Sequence, residues 1–214
     1  MIRIKLTEEN LESVAKKAVG HIKRGEVVMF PTDTLYGLGV DAEKSASIEK
    51  LFAIKKRPAS KPVPVFVKNM EMAKKLAFID KNAEVVLERL WPGPFTVVLN
   101  KKEDVSARLS AGTDKIGLRM PADSFCSELL GRLESPITGS SANVSGMSSY
   151  SDIDKILKQF KEYSVEPAFV VDAGVLEEKE PSTVVDLTGA HPRILRMNQT
   201  TLKKLKDIFD NLDT

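Results

Sequence analysis

Cysteine is almost missing from this chain: Cys126 is the single one among 214 residues, which excludes an internal disulfide and any multi-cysteine zinc or iron–sulfur site. Histidine is nearly as scarce, with only His21 and His191. His21 falls near the end of an amphipathic helix expected over 8–24, where the helix dipole favours a cation, and His191 precedes Pro192 in a turn. Neither segment has the character of a site, which argues against Ser–His or Cys–His hydrolysis, and the count of two excludes a histidine-rich metal centre. Cys126 itself sits in a helical pattern, where a small buried thiol is the expectation. An excess of one charge is missing as well, because 32 Lys and Arg face 30 Asp and Glu, and a net charge of +2 does not announce a nucleic-acid binder. No stretch of about 18 apolar residues occurs, and Met1-Ile2-Arg3-Ile4-Lys5 carries no signal-peptide core. The expectation is a cytoplasmic protein without membrane association.

What is present is enough apolar residues, 42%, for one sizeable core, and a single domain over 1–214 is expected, with its core at about 7–200. Helices are expected over 8–24, 45–56, 70–77, 82–90, 124–133, 151–160 (capped by Ser151) and about 199–211. Strands are expected over 26–30, 63–67, 95–99, 116–120, 137–138, 168–171, 183–187 and 193–197. Pro58 disfavours helix at Arg57 and so ends the second helix, leaving Arg57 and Lys61 on a turn. Strands and helices interleave irregularly, which predicts an α/β (α+β) fold: a twisted mixed parallel and antiparallel sheet flanked by helices.

The most informative segment is Pro31-Thr32-Asp33-Thr34-Leu35-Tyr36-Gly37-Leu38-Gly39. It follows the apolar run Val27-Val28-Met29-Phe30, so a strand would deliver hydroxyls, a carboxylate and glycines to one place at its carboxyl end, where open α/β sheets bind ligands. Lys55, Arg57 and Lys61 arrive one helix later. With the Ser141-Ala142-Asn143 turn they form a set of donors suited to phosphate, and the Thr-Asp-Thr loop adds places for a small polar group. The common nucleotide-binding loop Gly-x-x-x-x-Gly-Lys-[Ser/Thr] does not occur. Asp33 and Asp186 read as residues that orient loops, with contact to a metal ion as the alternative, and Tyr36 as one that packs.

Six motifs occur in order: Pro31 to Gly39, Lys55-Lys56-Arg57-Pro58 with Lys61-Pro62, Trp91-Pro92-Gly93-Pro94-Phe95-Thr96, Gly117-Leu118-Arg119-Met120-Pro121, Ser141-Ala142-Asn143-Val144-Ser145-Gly146, and Pro181-Ser182-Thr183-Val184-Val185-Asp186. This series resembles the YrdC-type threonylcarbamoyl-AMP synthases, in their short single-domain branch. The resemblance implies an enzyme that joins L-threonine, bicarbonate or CO2, and ATP into L-threonylcarbamoyladenylate and pyrophosphate, for the threonylcarbamoyladenosine of ANN-reading tRNAs. Mg²⁺ would accompany ATP, and a Kae1/TsaD-type transferase would accept the adenylate. Carried over by motif position, Thr34, Arg119 and Ser182 contact L-threonine. Lys55, Arg57, Lys61, Ser141, Asn143, Ser149 and Arg196 contact ATP, with Lys55, Arg57, Ser141 and Asn143 as the catalytic set. Two departures stand out: Phe66 replaces a histidine of some longer relatives, and Met147-Ser148-Ser149-Tyr150 replaces a proline-bearing stretch. The alternative is a tRNA- or double-stranded-RNA-binding module without catalysis, whose affinity would fall steeply with salt.

Overall fold

The computed structural model describes residues 1–209. In chain order it contains β1 (Ile2–Lys5), α1 (Leu11–Lys23), β2 (Val28–Phe30), β3 (Gly37–Gly39), α2 (Ser45–Lys55), β4 (Val65–Phe66), α3 (Met70–Leu76) and α4 (Lys81–Leu90). There follow β5 (Phe95–Asn100), β6 (Lys115–Arg119), α5 (Ser124–Gly131), β7 (Ile137–Thr138), β8 (Ser140–Ser141), α6 (Ile153–Glu162), β9 (Phe169–Asp172), β10 (Thr183–Asp186) and β11 (Arg193–Arg196). The terminal helix opens as a 3-10 turn (Gln199–Thr201) and continues as α7 (Leu202–Phe209); its expected end at 211 lies outside the described residues. No helix among the described residues is long and apolar enough to cross a membrane.

The mixed pairing expected from sequence is present, divided between two sheets. One runs β1-β9-β2-β3-β8, the other β11-β10-β5-β6-β4-β7. Alternation along central strands decides which core each side chain enters. In β2, Val28 and Phe30 pack with the α1 and α5 faces while Met29 points into the larger core; in β9, Phe169 and Val171 take the first side and Val170 the second. This is the period of two that a strand imposes, and it lets one short run serve two packed layers. On α1 the buried residues are Val14, Ala15, Ala18, Val19 and Ile22, the spacing of one helical face. Gly25, at φ 74°, takes the left-handed turn that stops this helix.

The chain passes from one sheet to the other at Gly139, between β7 and β8. A Cβ there would lie 2.0 Å from Cε1 of Phe66, so the crossing admits glycine alone. Side chains cap the starts of α3, α4 and α5: Asn69 accepts from Met72 N–H (2.9 Å), Asp80 from Ala83 N–H (2.8 Å) and Asp123 from Cys126 N–H (2.8 Å). At α6 the cap is Asp152, accepting from Asp154 N–H at 2.9 Å, in place of the expected Ser151. The carboxylate one residue later reaches the open amide, and it carries a charge that the helix dipole favours.

Asp186, at the end of β10, is 3% exposed and accepts from Thr188 N–H (2.8 Å) and Thr188 Oγ1 (2.6 Å), with Lys115 and Arg193 at 3.3 and 3.2 Å. Burial pushes its carboxyl up, but the bonds from Thr188, Lys115 and Arg193 outweigh that and hold it at about 2. The folded value lies below the ordinary 3.8, so this stabilisation is complete above pH 3.8 and is lost as pH falls towards about 2. Asp186→Asn is expected to lose roughly 2 kcal/mol at neutral pH and to narrow its deficit below pH 3.8. Urea denaturation of both forms between pH 2 and pH 7 checks this, and a pH-independent deficit would refute it.

Candidate active site

The two sheets face each other across a cavity of about 220 Å³. The first sheet contributes the loop after β2 with Thr32 and Thr34, then Ser140 and Ser141 of β8; the second contributes Phe66, Thr96 and Arg119 from β4, β5 and β6. Ser182, at the entry to β10, and Arg196, at the end of β11, close one side, and Arg57 and Ser149 stand at another. Of the residues expected from sequence, Thr34, Arg57, Arg119, Ser141, Ser149, Ser182 and Arg196 line this cavity together.

At one end Arg119 is 4% exposed and held by three acceptors. Nε donates to Gly93 O (3.1 Å), Nη1 to Thr34 Oγ1 (3.1 Å) and Nη2 to Asp33 Oδ1 (2.5 Å). Thr34 is fixed in turn by Thr32, whose Oγ1 lies 3.1 Å from Thr34 Oγ1 and donates to Leu35 O at 2.7 Å. In the lining from β5 and the entry to β10, Ser182 Oγ lies 2.9 Å from Thr96 Oγ1, and Arg196 donates to Ser182 O (2.9 Å) and Ser182 Oγ (3.1 Å). Hydroxyl groups thus come in pairs, each oriented by a neighbour before any ligand arrives.

At the other end the helix α2 closes with Lys56 in the left-handed conformation, φ 47°, while Lys56 N–H donates to Ala53 O (3.1 Å) and Arg57 N–H to Phe52 O (2.9 Å). That turn sends consecutive cations in three directions. Lys56 lies over the Tyr163 ring, 4.9 Å from its centroid. Arg57 lines the cavity, with its guanidinium bonded to the Lys61 and Pro62 carbonyls at 3.2 and 2.6 Å. Burial pulls that guanidinium below its ordinary value. Lys61 is exposed and stands outside the cavity lining.

Lys55 points inward instead. It is 1% exposed, and its ammonium donates to Ser141 O, to Asn143 O (2.7 Å) and to Asn143 Oδ1 (3.3 Å). Its own carbonyl accepts from Ser145 N–H at 2.8 Å. All three ammonium protons are therefore spent on the Ser141–Asn143 turn, and neither Lys55 nor Asn143 is among the lining residues. Asn143 accepts from Ser141 Oγ (2.7 Å) and donates to Met147 O (2.6 Å), which braces the same turn. In this arrangement Lys55 and Asn143 shape the wall that presents Ser141. The signal for this was in the sequence: Ile48, Leu51, Phe52 and Lys55 fall on one helical face, and all four are buried.

Sequence reasoning gave no role to Thr96 or Ser140 and took Thr32 only as part of its loop, yet all three line the cavity. Thr96 lay in a motif that reads as a rigid turn and strand, with nothing local to say that it faces Ser182. Tyr36 packs as expected, at 1% exposure, its hydroxyl donating to Gly174 O and accepting from Ala173 N–H, both at 2.9 Å. Cys126 is 1% exposed under the same loop, with its thiol pushed up by burial, and no thiol or imidazole is among the groups that line the cavity. Asp33 and Asp186 both orient cations. The cavity brings guanidinium groups and hydroxyls together, a donor set whose chemistry suits an anion.

Burial, then the charge of Arg57, pulls the Lys55 ammonium down to about 7. Because the folded value is the lower one, the unfolded chain binds the extra proton between about 7 and 10.5, and stability rises with pH across that window. Lys55→Met is expected to remove this slope, so the wild type should gain up to about 1.4 kcal/mol per pH unit over the variant. Urea midpoints at pH 7, 8 and 9 measure it. A flat difference would mean that the carbonyl oxygens keep the ammonium charged.

The Sua5/YciO/YrdC family model, described as telomere recombination, matches residues 20–198. A threonylcarbamoyl-AMP synthase from Pyrococcus abyssi is 34% identical over 212 residues, covering 99% of this chain and 62% of that protein. The chain therefore spans about three fifths of that relative's length. A Mycobacterium tuberculosis relative, also 34% identical, is covered over 87% of its length, with 90% of this chain matched. Among solved structures, P. abyssi Sua5 complexed with L-threonine superposes with a TM-score of 0.85 at 34% identity, over 97% of this chain and 60% of that one. Escherichia coli YciO shares the fold with a TM-score of 0.79 at 24% identity, over 92% of this chain and 94% of that one. By its sequence and by the two-sheet frame around this cavity, the chain belongs to the Sua5/YciO/YrdC family.

Proposed function

We propose that the protein is an L-threonylcarbamoyladenylate synthase. The observation that carries this is the cavity itself: Arg119, Thr34, Ser182, Arg57, Ser141, Ser149 and Arg196 line it together, with Arg196 bonded to Ser182. The Pyrococcus abyssi relative's name and the threonine-bound structure of that relative support it. L-threonine would place its carboxylate on the Arg119 guanidinium and its polar groups near the Thr34 and Ser182 hydroxyls. Its amine adds to CO2 and loses a proton, giving a carbamate. A carbamate oxygen then attacks the α-phosphorus of ATP, the bond to the β-phosphate oxygen breaks, and pyrophosphate leaves.

No enzyme nucleophile is needed for this reaction. What the chain supplies is proximity of two anions and neutralisation of the charge on phosphoryl oxygens, the terms that dominate such transfers. Arg57 would meet the triphosphate by exchanging its bonds to the Lys61 and Pro62 carbonyls for stronger, charge-assisted ones. Ser141 and Ser149 would add neutral donors, and Arg196 would lie against the nucleotide. Among the described residues no cluster of three acidic, histidine or cysteine side chains forms a metal cage. The hydroxyl-rich lining fits Mg²⁺ brought on the triphosphate, with Ser141 and Ser149 able to complete a shell of water and phosphate oxygens. The adenylate would pass to a Kae1/TsaD-type transferase in the cytoplasm, for modification of tRNA.

Purified protein given ATP, Mg²⁺ and bicarbonate is expected to release pyrophosphate with L-threonine and far less with L-serine. Arg57→Ala should stay folded and lose at least about a hundredfold in rate, the order expected when a charge-stabilising donor is removed. Threonine-independent release, or full activity in a folded Arg57→Ala, would overturn the assignment. Absence of release together with salt-sensitive tRNA binding would favour the RNA-binding alternative.

A further inference from the structure

Arg119 carries five N–H donors, and the fold uses three of them, for Gly93 O, Thr34 Oγ1 and Asp33 Oδ1. One N–H remains on each terminal nitrogen of a side chain that lines the cavity. Two N–H groups on adjacent nitrogens form the fork that a carboxylate takes bidentately, so the direction in which this guanidinium is locked decides whether the fork meets a ligand. A guanidinium this deeply buried also requires a counter-charge. Asp33 is the acid within reach: its Oδ1 lies 2.5 Å from Nη2, and the two side chains are 11% and 5% exposed.

The pair is single-toothed. Asp33 Oδ2 is buried and has no hydrogen-bond partner, so Asp33 engages one N–H only and leaves the fork open. Asp33 itself is not a lining residue, whereas its neighbour Thr34 is; adjacent positions of one loop therefore grip Arg119 from behind and from beside the cavity. We infer that Asp33 is a positioning residue for the carboxylate of the amino-acid substrate: it neutralises Arg119 in its buried seat and turns the unused edge of the guanidinium into the cavity. The inference rests on the synthase reading of this cavity. A second carboxyl stands nearby, Asp123, which burial first and the charge of Asp33 next push above the ordinary range. An incoming carboxylate would meet a guanidinium that is already oriented, with one N–H unused on each terminal nitrogen.

Steady-state pyrophosphate release, with L-threonine and ATP varied separately, tests this on wild type, Asp33→Ala and Asp33→Asn. Asp33→Ala is expected to raise the threonine KM at least about tenfold while the ATP KM stays within about twofold. Asp33→Asn keeps an acceptor of the same size without the charge, so it should fold even where alanine does not and should fall between the two. Melting temperatures taken alongside separate loss of fold from loss of threonine affinity. An unchanged threonine KM in folded Asp33→Asn, or an equal rise in both KM values, would overturn the role of Asp33 alone. A wild type without threonine-dependent release would overturn the synthase reading, and this inference with it.

Discussion

Three oxygens converge on the buried ammonium of Lys55, and the shape of half the cavity hangs on them. An ammonium taken from water costs several kcal/mol unless each proton finds an acceptor. Here the acceptors are Ser141 O, at the end of β8, and both oxygens of Asn143 on the turn that follows. The end of α2 and that turn are thus one unit, tied again by Ser145 N–H to Lys55 O. Arg57 follows two residues later and the Ser141 hydroxyl sits on the clamped turn, so two groups facing the cavity inherit their places from a lysine that does not reach it. The left-handed turn at Lys56 makes this divergence possible, since a continuing helix would have carried Arg57 around its own axis.

A similar economy governs the other end. Arg119, Thr34 and Thr32 form one chain of bonds, and Arg196, Ser182 and Thr96 form another. Arg119, Thr96, Ser182 and Arg196 stand on strands or a strand entry, and Thr32 and Thr34 on the loop between β2 and β3 are tied to them and to each other, so the site needs little ordering when a ligand binds. This suits a reaction in which positioning and charge neutralisation are the protein's main contributions.

Much of this was legible residue by residue. The loop after β2, the cation run after α2 and the serine–asparagine turn all stood out because their chemistry differs from their apolar surroundings. The core helices were legible from their period of 3.6, and the buried strands from their β-branched runs. Other elements carried no local signal. The strand β1 reads Ile2-Arg3-Ile4-Lys5, is largely exposed, and exists because β9, far along the chain, pairs beside it. The strands β3 and β8 have three and two residues, with glycine and serine where β-formers are usual, and each is held by its neighbour in the sheet.

By itself the sequence determined which groups are available: cations, hydroxyls and amides, with almost no thiol or imidazole, and hence chemistry by binding and charge. It also determined local stops such as Gly25, because these depend on backbone conformation and near neighbours alone. Only the tertiary structure decided that the strands divide into two sheets, that Gly139 carries the chain between them, and that Lys55 points inward while Arg57 lines the cavity. Those outcomes depend on pairing and burial between residues far apart in sequence, whose free energy exists only once the two sheets have packed together.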